Sequence, residues 1–409
     1  MNLKFSIITP AHKNTPYHKV LYDSIKAQSH ENWEWVLWLN NDIEKEKLPE
    51  EILNDDRVKI FETDSDSKNV GYHKYHAFHK GEGDVLVEVD SDDIITPDCL
   101  EELNKAYQDP QVGFAYSDSA ILDDNFVPYN AQHGWTHYKY NHEGKDLTVM
   151  KTWEPTSHSI GFIWYAPDHV RSWRTSVYRE LGGHKDLSIC DDHELMVRTY
   201  LNTKMHHIQK PLYVYRITGD NTYLERNAQI QTKTVEIFRE NAFALAEYDA
   251  KHRDLMMVDM GGGIDGRPGY ITIDQEDADI TCDLNDGIPL PDNSVGVLNA
   301  SHVIEHLRDP VKTMREIHRV LAHGGWAFIE VPSTDGRGAW QDPTHVSFWN
   351  EHSFWYYTNA SKARYIRNND IRFQSYRLDT WEMAPNIPVV SAWLVAIKNE
   401  TRLPGILSI

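Results

Sequence analysis

Residues 85–93 read VLVEVDSDD, a short apolar run that has to be a buried strand, ending in carboxylates where the chain turns back toward solvent. A strand that delivers Asp90 and Asp92 to one edge of a sheet builds a site for a hard divalent cation, since hard cations take oxygen ligands. In an acidic chain the cargo such a cation suits is a diphosphate, which points to nucleotide-sugar chemistry. A second acidic cluster, Asp191-Asp192-His193-Glu194-Leu195, heads a helical stretch after the turn Leu181-Gly182-Gly183-His184. The chemistry asks for both clusters. Cleaving the bond from an anomeric carbon to phosphate develops charge on a diphosphate, which a cation stabilises, and a carboxylate in hydrogen-bond reach takes the proton of the attacking hydroxyl.

Those carboxylates need elements to position them, and apolar runs alternate with helical patterns from the start of the chain. Strands are expected over residues 5–9, 35–39, 58–61 and 85–89, with helices over 17–28 and 70–79 and another beginning near Pro97. The segments ending at Thr9-Pro10, Asn40-Asn41-Asp42 and Asp90 converge on one sheet edge, and ligands of open α/β sheets bind beyond the carboxyl ends of the strands. Residues 129–174 break the rhythm into an irregular stretch carrying Trp135, Trp153, Trp164 and Trp173, read either as core packing or, as a set, as faces for a saccharide acceptor. A polar helix without Gly or Pro follows over 229–252, and a second α/β series includes strands at 256–260, 271–274, 295–299, 326–331 and 389–397. The chain therefore divides into 1–228, a helical linker over 229–254, and 255–409, two domains being the expectation for 409 residues.

The segments SIITPAHKN, DSIKAQSHENWEWV, NVGYHKYHAFHKGEGDVLVEVDSDD and ELGGHKDLSICDDHELMVRTYL resemble the family 2 glycosyltransferases of the GT-A fold, over about the first 225 residues. That resemblance implies that Pro10, Ala11, Asp42 and Lys74 line a nucleoside pocket. It also implies that Asp90, Ser91 and Asp92 lie in the donor site, with Asp90 and Asp92 holding ribose and Mn²⁺ or Mg²⁺. Asp192, at the second acidic position of the family's Glu-Asp-x-x-Leu pattern, is then the catalytic base, and Asp191 stands beside it in place of the usual Glu. A single base opposite a single leaving group implies inversion at the anomeric carbon. Two departures follow: Thr218 occupies the place where metal-binding members often carry a His, and the Gln-x-x-Arg-Trp signature of processive relatives is absent, which favours transfer of one sugar.

In the second half, Gly261-Gly262-Gly263-Ile264-Asp265-Gly266 satisfies G-x-G-x-x-G directly after a strand. The dinucleotide fingerprint needs a helix after the glycines and an acidic residue about 20 residues on. Asp274 arrives too soon for that helix, which disfavours NAD. The segments VDMGGGIDGRPGYITID, ADITCDLNDGIPLPDNSVGVLNASHVIEHL, EIHRVLAHGGWAFIEVPS and DPTHVSFWN resemble instead the class I S-adenosylmethionine-dependent methyltransferases, a compact Rossmann-like fold, over about 255–400. The resemblance implies that Gly261 and Gly263 admit the methionine part of S-adenosylmethionine, that Asp274 takes the ribose hydroxyls, and that Asp283 and Leu284 flank adenine. It places Ser301 and His302 at the reacting centre. Residues 302–306 also match the zinc-protease pattern H-x-x-E-H, which the methyltransferase context accounts for without zinc. His302, His306 or His345 serves as a base toward a hydroxyl, or is structural. His73, His76 and His79 recur at helical spacing and read as a solvated helix flank.

Composition narrows the partners. With 41 Lys+Arg against 62 Asp+Glu, a formal charge of −21 repels nucleic acid. Three cysteines without a CxxC pair suggest neither a disulfide framework nor a cysteine zinc site and fit a reducing compartment. The start MNLKFSIITP carries no leader, and no run of about 18 apolar residues occurs, so a soluble cytoplasmic protein without an integral membrane segment is expected. The expected function is a glycosyltransferase whose partners are a nucleotide-diphospho-sugar and a saccharide or glycan acceptor, with a C-terminal domain that O-methylates the glycan. The alternative for that domain is a catalytically silent module that binds a glycan or a partner.

Overall fold

The computed structural model describes residues 1–40, 43–123, 125–128, 136–161, 163, 166–218, 221–368 and 370–399. The chain forms two compact units, Met1–Ala242 and Phe243–Ile409. In the first, β1 (Phe5–Ala11), β2 (Trp33–Leu39), β3 (Val58–Glu62) and β4 (Val85–Glu88) lie parallel in the order β3-β2-β1-β4. The three inner strands are buried almost throughout, as parallel strands covered on both faces have to be. Strand order reverses at β1, which has β2 on one side and β4 on the other. Such a switch point opens a crevice at the carboxyl ends of the strands, here beyond Ala11 and Glu88.

The sheet continues through β9 (Arg171–Arg174), β6 (Val112–Leu122), β10 (Lys204–Arg216) and β5 (Ile94–Ile95), and the hairpin of β7 (His137–His142) and β8 (Lys145–Met150) adds to β6. The stretch expected to be irregular thus contains a hairpin and an internal strand. The hairpin turns through Glu143 and Gly144, both at positive φ (50° and 86°), which is the twist a tight hairpin needs. Its outer strand is mostly exposed, so it lacks the apolar alternation that would mark it in sequence.

The second unit holds β11 (Met256–Met260), β12 (Ile271–Asp274), β13 (Ile280–Thr281), β14 (Val295–Ser301), β15 (Leu321–Pro332), β16 (Phe373–Ala384) and β17 (Ile387–Ala396) in the order β13-β12-β11-β14-β15-β17-β16. Only β17 runs against the rest. Here the order reverses at β11, and the crevice lies beyond Met260 and Ser301. The Pro310–Val320 helix begins with Pro at its first turn. The Asp309 side chain caps it by accepting from the Val311 and Lys312 amides, and Met314, Ile317 and Val320 are buried.

One helix, Asn227–His252, runs through the boundary, which falls after Ala242. The stretch expected as a separate linker is therefore shared: Ile230, Ile237, Phe238 and Ala242 are buried in the first unit and Leu245, Ala246 and Ala250 in the second. All three cysteines are free. Among the described residues no helix is long and apolar enough to cross a membrane.

Candidate active sites

Beyond β4 the first unit gathers carboxylates around one buried ammonium. Glu88, in the apolar run of β4, is wholly buried and accepts from Lys74 Nζ at 2.5 Å. Lys74, on the Val70–Phe78 helix, also lies 3.8 Å from Asp191 Oδ2. Gly71 on that helix touches the loop leading to Asp191: its amide donates to Leu187 O at 3.0 Å. A Cβ there would stand 1.9 Å from Lys185 O and 3.0 Å from the Asp191 Cβ, so only glycine fits. Asp191 and Asp192 open the Asp191–Asn202 helix. Asp192 Oδ2 accepts from Arg171 Nη1 of β9 at 2.6 Å and Oδ1 from the His193 amide at 2.8 Å.

Charge within this cluster is unevenly shared. Burial works against the Lys74 ammonium, but Glu88, Asp191, Asp192 and Asp90 outweigh it and raise its pKa well above the usual lysine value. Burial pushes Asp191 up to about 7 against the pull of Lys74, with Asp192 and Glu88 adding to the rise. Burial also opposes ionisation of Asp192, yet Arg171 and Lys74 reverse it and hold that carboxyl well below the usual range. Two adjacent aspartates therefore have opposite proton affinities, the pattern by which acid and base roles are separated.

Asp90 stands at the mouth of the same crevice. Burial raises its pKa despite His169, whose Nε2 is 4.0 Å from Asp90 Oδ2, and despite Lys74. The turn is pinned from β10: Tyr213 Oη donates to Asp93 Oδ2 and the Arg216 amide to Asp93 Oδ1, each at 2.7 Å, while Arg216 Nε donates to the Asp92 carbonyl at 2.8 Å. Ser91 is buried, and Pro10 and Ala11 close β1 beside them.

In the second unit β11 ends on Gly261, at φ +73°, whose amide donates to the Ile273 carbonyl at 2.8 Å. A single 3₁₀ turn, Gly263–Asp265, replaces a crossover helix before β12. A Cβ on Gly263 would meet only Asp274 Oδ2, at 3.6 Å, which leaves an open cradle between the glycine loop and the end of β12. Asp283 and Leu284 follow β13; Asp283 Oδ1 accepts from the Asn285 amide at 2.9 Å, and Leu284 packs on the core. Ser301 is exposed at the end of β14. His302 follows at φ +55°, its Nδ1 3.6 Å from Glu305 Oε1, a neighbour that raises the imidazole pKa.

Residues 6–166 match the family model described as glycosyl transferase family 2, and residues 263–329 match one described as a methyltransferase domain. The chain carries a family 2 glycosyltransferase domain and a methyltransferase domain. Both are transferase domains, on two α/β sheets as expected. The chain is also similar to solved structures. Residues 1–349 of S. aureus TarS in complex with UDP share 18% identity at a TM-score of 0.42, covering 62% of this chain and 72% of that one. Mannosyltransferase PcManGT from Pyrobaculum calidifontis, in complex with GDP-Man and Mn²⁺, shares 13% identity at 0.43, covering 62% and 73%. No curated protein matches the chain.

In the glycosyltransferase domain the structure brings together Lys74, Asp90, Asp191 and Asp192. Lys74, expected against a nucleoside, gives its ammonium to Glu88 and Asp191. Asp42 lies outside the described residues, as do Trp135 and Trp164. Trp173 is core, its Nε1 donating to Thr199 Oγ1 at 3.1 Å. The histidine flank is corrected at one position: His73 is buried, because its Nδ1 accepts from Trp38 Nε1 at 3.2 Å and its Nε2 lies 2.9 Å from Ser67 O. Sequence reasoning missed Glu88, His169 and Arg171. For Glu88 the signal is a lone charge inside an apolar strand; for the other two no spacing gives one. In the methyltransferase domain Gly261, Gly263 and Asp274 meet, and Asp283, Leu284, Ser301 and His302 lie on loops after the neighbouring strands.

Proposed function

We propose that the glycosyltransferase domain moves one sugar from a nucleotide-diphospho-sugar to a hydroxyl of a saccharide acceptor, with inversion at the anomeric carbon. The observation that carries this reading is the buried ammonium of Lys74, which feels carboxylates from two separate segments, Glu88 and Asp90 at the end of β4 and Asp191 and Asp192 at the head of a helix. Pro10, Ala11 and Ser91 line the donor side of the crevice. Asp90 and Asp92 fit Mn²⁺ or Mg²⁺: the partly exposed Asp90 carboxyl has a raised proton affinity that a hard cation relieves, and such cations are held by one or two carboxylates plus substrate phosphates. The bound ion supplies neutralisation of the departing diphosphate. Asp192 receives the proton of the acceptor hydroxyl, while Asp191 and Lys74 set the charge around it.

The test is a donor screen with the full chain and Mn²⁺, offering UDP-, GDP- and dTDP-sugars and comparing wild type with Asp92→Ala. Nucleotide release from one donor, abolished in the variant, is the expected result and names the donor. Release unchanged by Asp92→Ala would remove the metal from the reading.

The methyltransferase domain, in the same proposal, O-methylates the glycan, which would also block extension at that hydroxyl. S-adenosylmethionine fits the open cradle at Gly263, with Asp274 on the ribose hydroxyls, Asp283 and Leu284 beside adenine, and Gly261 and Ser301 closing the loops. When bound it supplies the methyl group, and His302 accepts the proton of the receiving hydroxyl. Calorimetry is expected to show S-adenosylmethionine binding that Asp274→Ala weakens about 10- to 100-fold, the cost of one hydrogen-bonded carboxylate. No heat from wild type would instead leave the domain a silent module that binds a glycan or partner.

A further inference from the structure

The H-x-x-E-H stretch at 302–306 does not build a zinc-protease helix. Residues Ile304–His306 form a 3₁₀ turn, and His302 precedes it in a left-handed conformation, so the two histidines do not share a helix face. Another histidine takes up the pattern. One ligand atom each from Glu305, His306 and His345 lie within 4.8 Å of one another, the one such cluster among the described residues. Glu305 is 2% exposed, and neither of its carboxylate oxygens has a partner at hydrogen-bond distance, His302 Nδ1 and His345 Nε2 standing 3.6 and 4.0 Å from Oε1. A buried carboxylate in that condition calls for a cation.

The imidazoles are oriented to meet it. His345 Nδ1 lies 3.0 Å from the Ala339 carbonyl, which can only accept, so Nδ1 carries the proton and Nε2 keeps its lone pair, 4.0 Å from Glu305 Oε1. His306 Nδ1 faces the Thr344 carbonyl at 3.3 Å and Thr344 Oγ1 at 3.1 Å; that hydroxyl gives its own hydrogen to Asp342 Oδ1 at 2.6 Å. His306 Nδ1 is therefore a donor as well, and its lone pair also falls on Nε2. A histidine that donates its other ring N–H to a carbonyl is the usual outer shell of a metal ligand. A shared proton would satisfy one pair of these acceptors; a metal ion satisfies all three.

The geometry points to a divalent metal site formed by Glu305, His306 and His345, fitted to Zn²⁺. Two imidazoles and a carboxylate suit Zn²⁺ and disfavour Mg²⁺ and Ca²⁺, and three protein ligands leave a fourth position open. Tetrahedral bonds of about 2.0–2.2 Å place donors roughly 3.3–3.6 Å apart, so the cluster lies within about 1.5 Å of closure. The site follows β14 at the edge where the glycine loop arrives: a Cβ on Gly261 would stand 2.9 Å from the Val303 Cβ. An ion there is placed to hold and polarise the oxygen of an incoming hydroxyl. That role rests on the O-methylation reading; the metal site does not.

The test uses the full chain with Asp90→Ala and Asp92→Ala, which removes the other carboxylate site. Elemental analysis after gel filtration is expected to find one equivalent of Zn²⁺. The Co²⁺-loaded protein should show the visible absorption of a four-coordinate ligand field, undisturbed by excess Mg²⁺. Adding His306→Ala with His345→Ala should abolish both signals. Retention of either signal in that variant overturns the proposal. So does a folded parent protein that takes up neither metal, a result independent of how the histidine variants fold.

Discussion

Asp192→Asn is expected to slow sugar transfer by about 10²- to 10⁴-fold, the contribution of a positioned general base. Donor affinity should stay within a few-fold of wild type, because the substitution keeps the side chain's shape. The structure gives the reason for choosing this residue over its neighbour. Asp191 has a proton affinity near neutrality, which suits a base, but its side chain is only 3% exposed. Asp192 is 21% exposed at the head of its helix and is kept ionised by Arg171. Accessibility decides between them, since a base has to reach the proton it takes. Parallel assays of Asp192→Asn and Asp191→Asn check this. Near-normal turnover in the first with collapse in the second would reverse the assignment.

The second large effect is on stability. Lys74→Met should cost the first unit about 3–5 kcal/mol, because it leaves Glu88 and Asp191 buried without their cation. For a unit of this size roughly 2–4 °C of thermal midpoint accompany each kcal/mol, so a fall of about 6–20 °C is expected. Methionine keeps the length and apolar stem of lysine, so a packing defect is a small part of the loss. Adding Glu88→Gln should restore much of it by removing one stranded charge. A shift too small to measure in the single variant, or no rescue in the double, would show that Lys74 is not the counterion that holds the cluster together.

The inner strands of the first sheet are legible in sequence because burial on two faces forces near-continuous apolar runs: the strands expected at 35–39 and 85–89 are found at Trp33–Leu39 and Val85–Glu88, and in the second unit 271–274 falls where expected. The outer part of the first sheet is not. β6 interrupts its apolar run with Ser117, Asp118 and Ser119, and β10 carries Lys204, two histidines and Pro211, with its register shifting around that proline. Such strands are set by their neighbours rather than by periodicity. The same divide runs through the site. Aspartates at strand ends and helix heads are visible because the element boundary exposes them. Arg171 and His169 acquire their meaning only when β9 is laid antiparallel between β4 and β6. In the second unit 302–306 is visible as a motif, but its partner His345 joins it across 39 residues through a loop.

Gly71 shows what the reagents of a site do not disclose. It offers no charge, donor side chain or apolar surface, yet the distance between the lysine-bearing helix and the aspartate pair is set by the methyl group it lacks. A relative that kept every carboxylate named above but carried alanine at this position would own the whole chemical inventory in the wrong spacing. Lineages that preserve activity are thus constrained at a residue that takes no part in it. A survey that scores relatives only by their acidic residues would count inactive copies among the living.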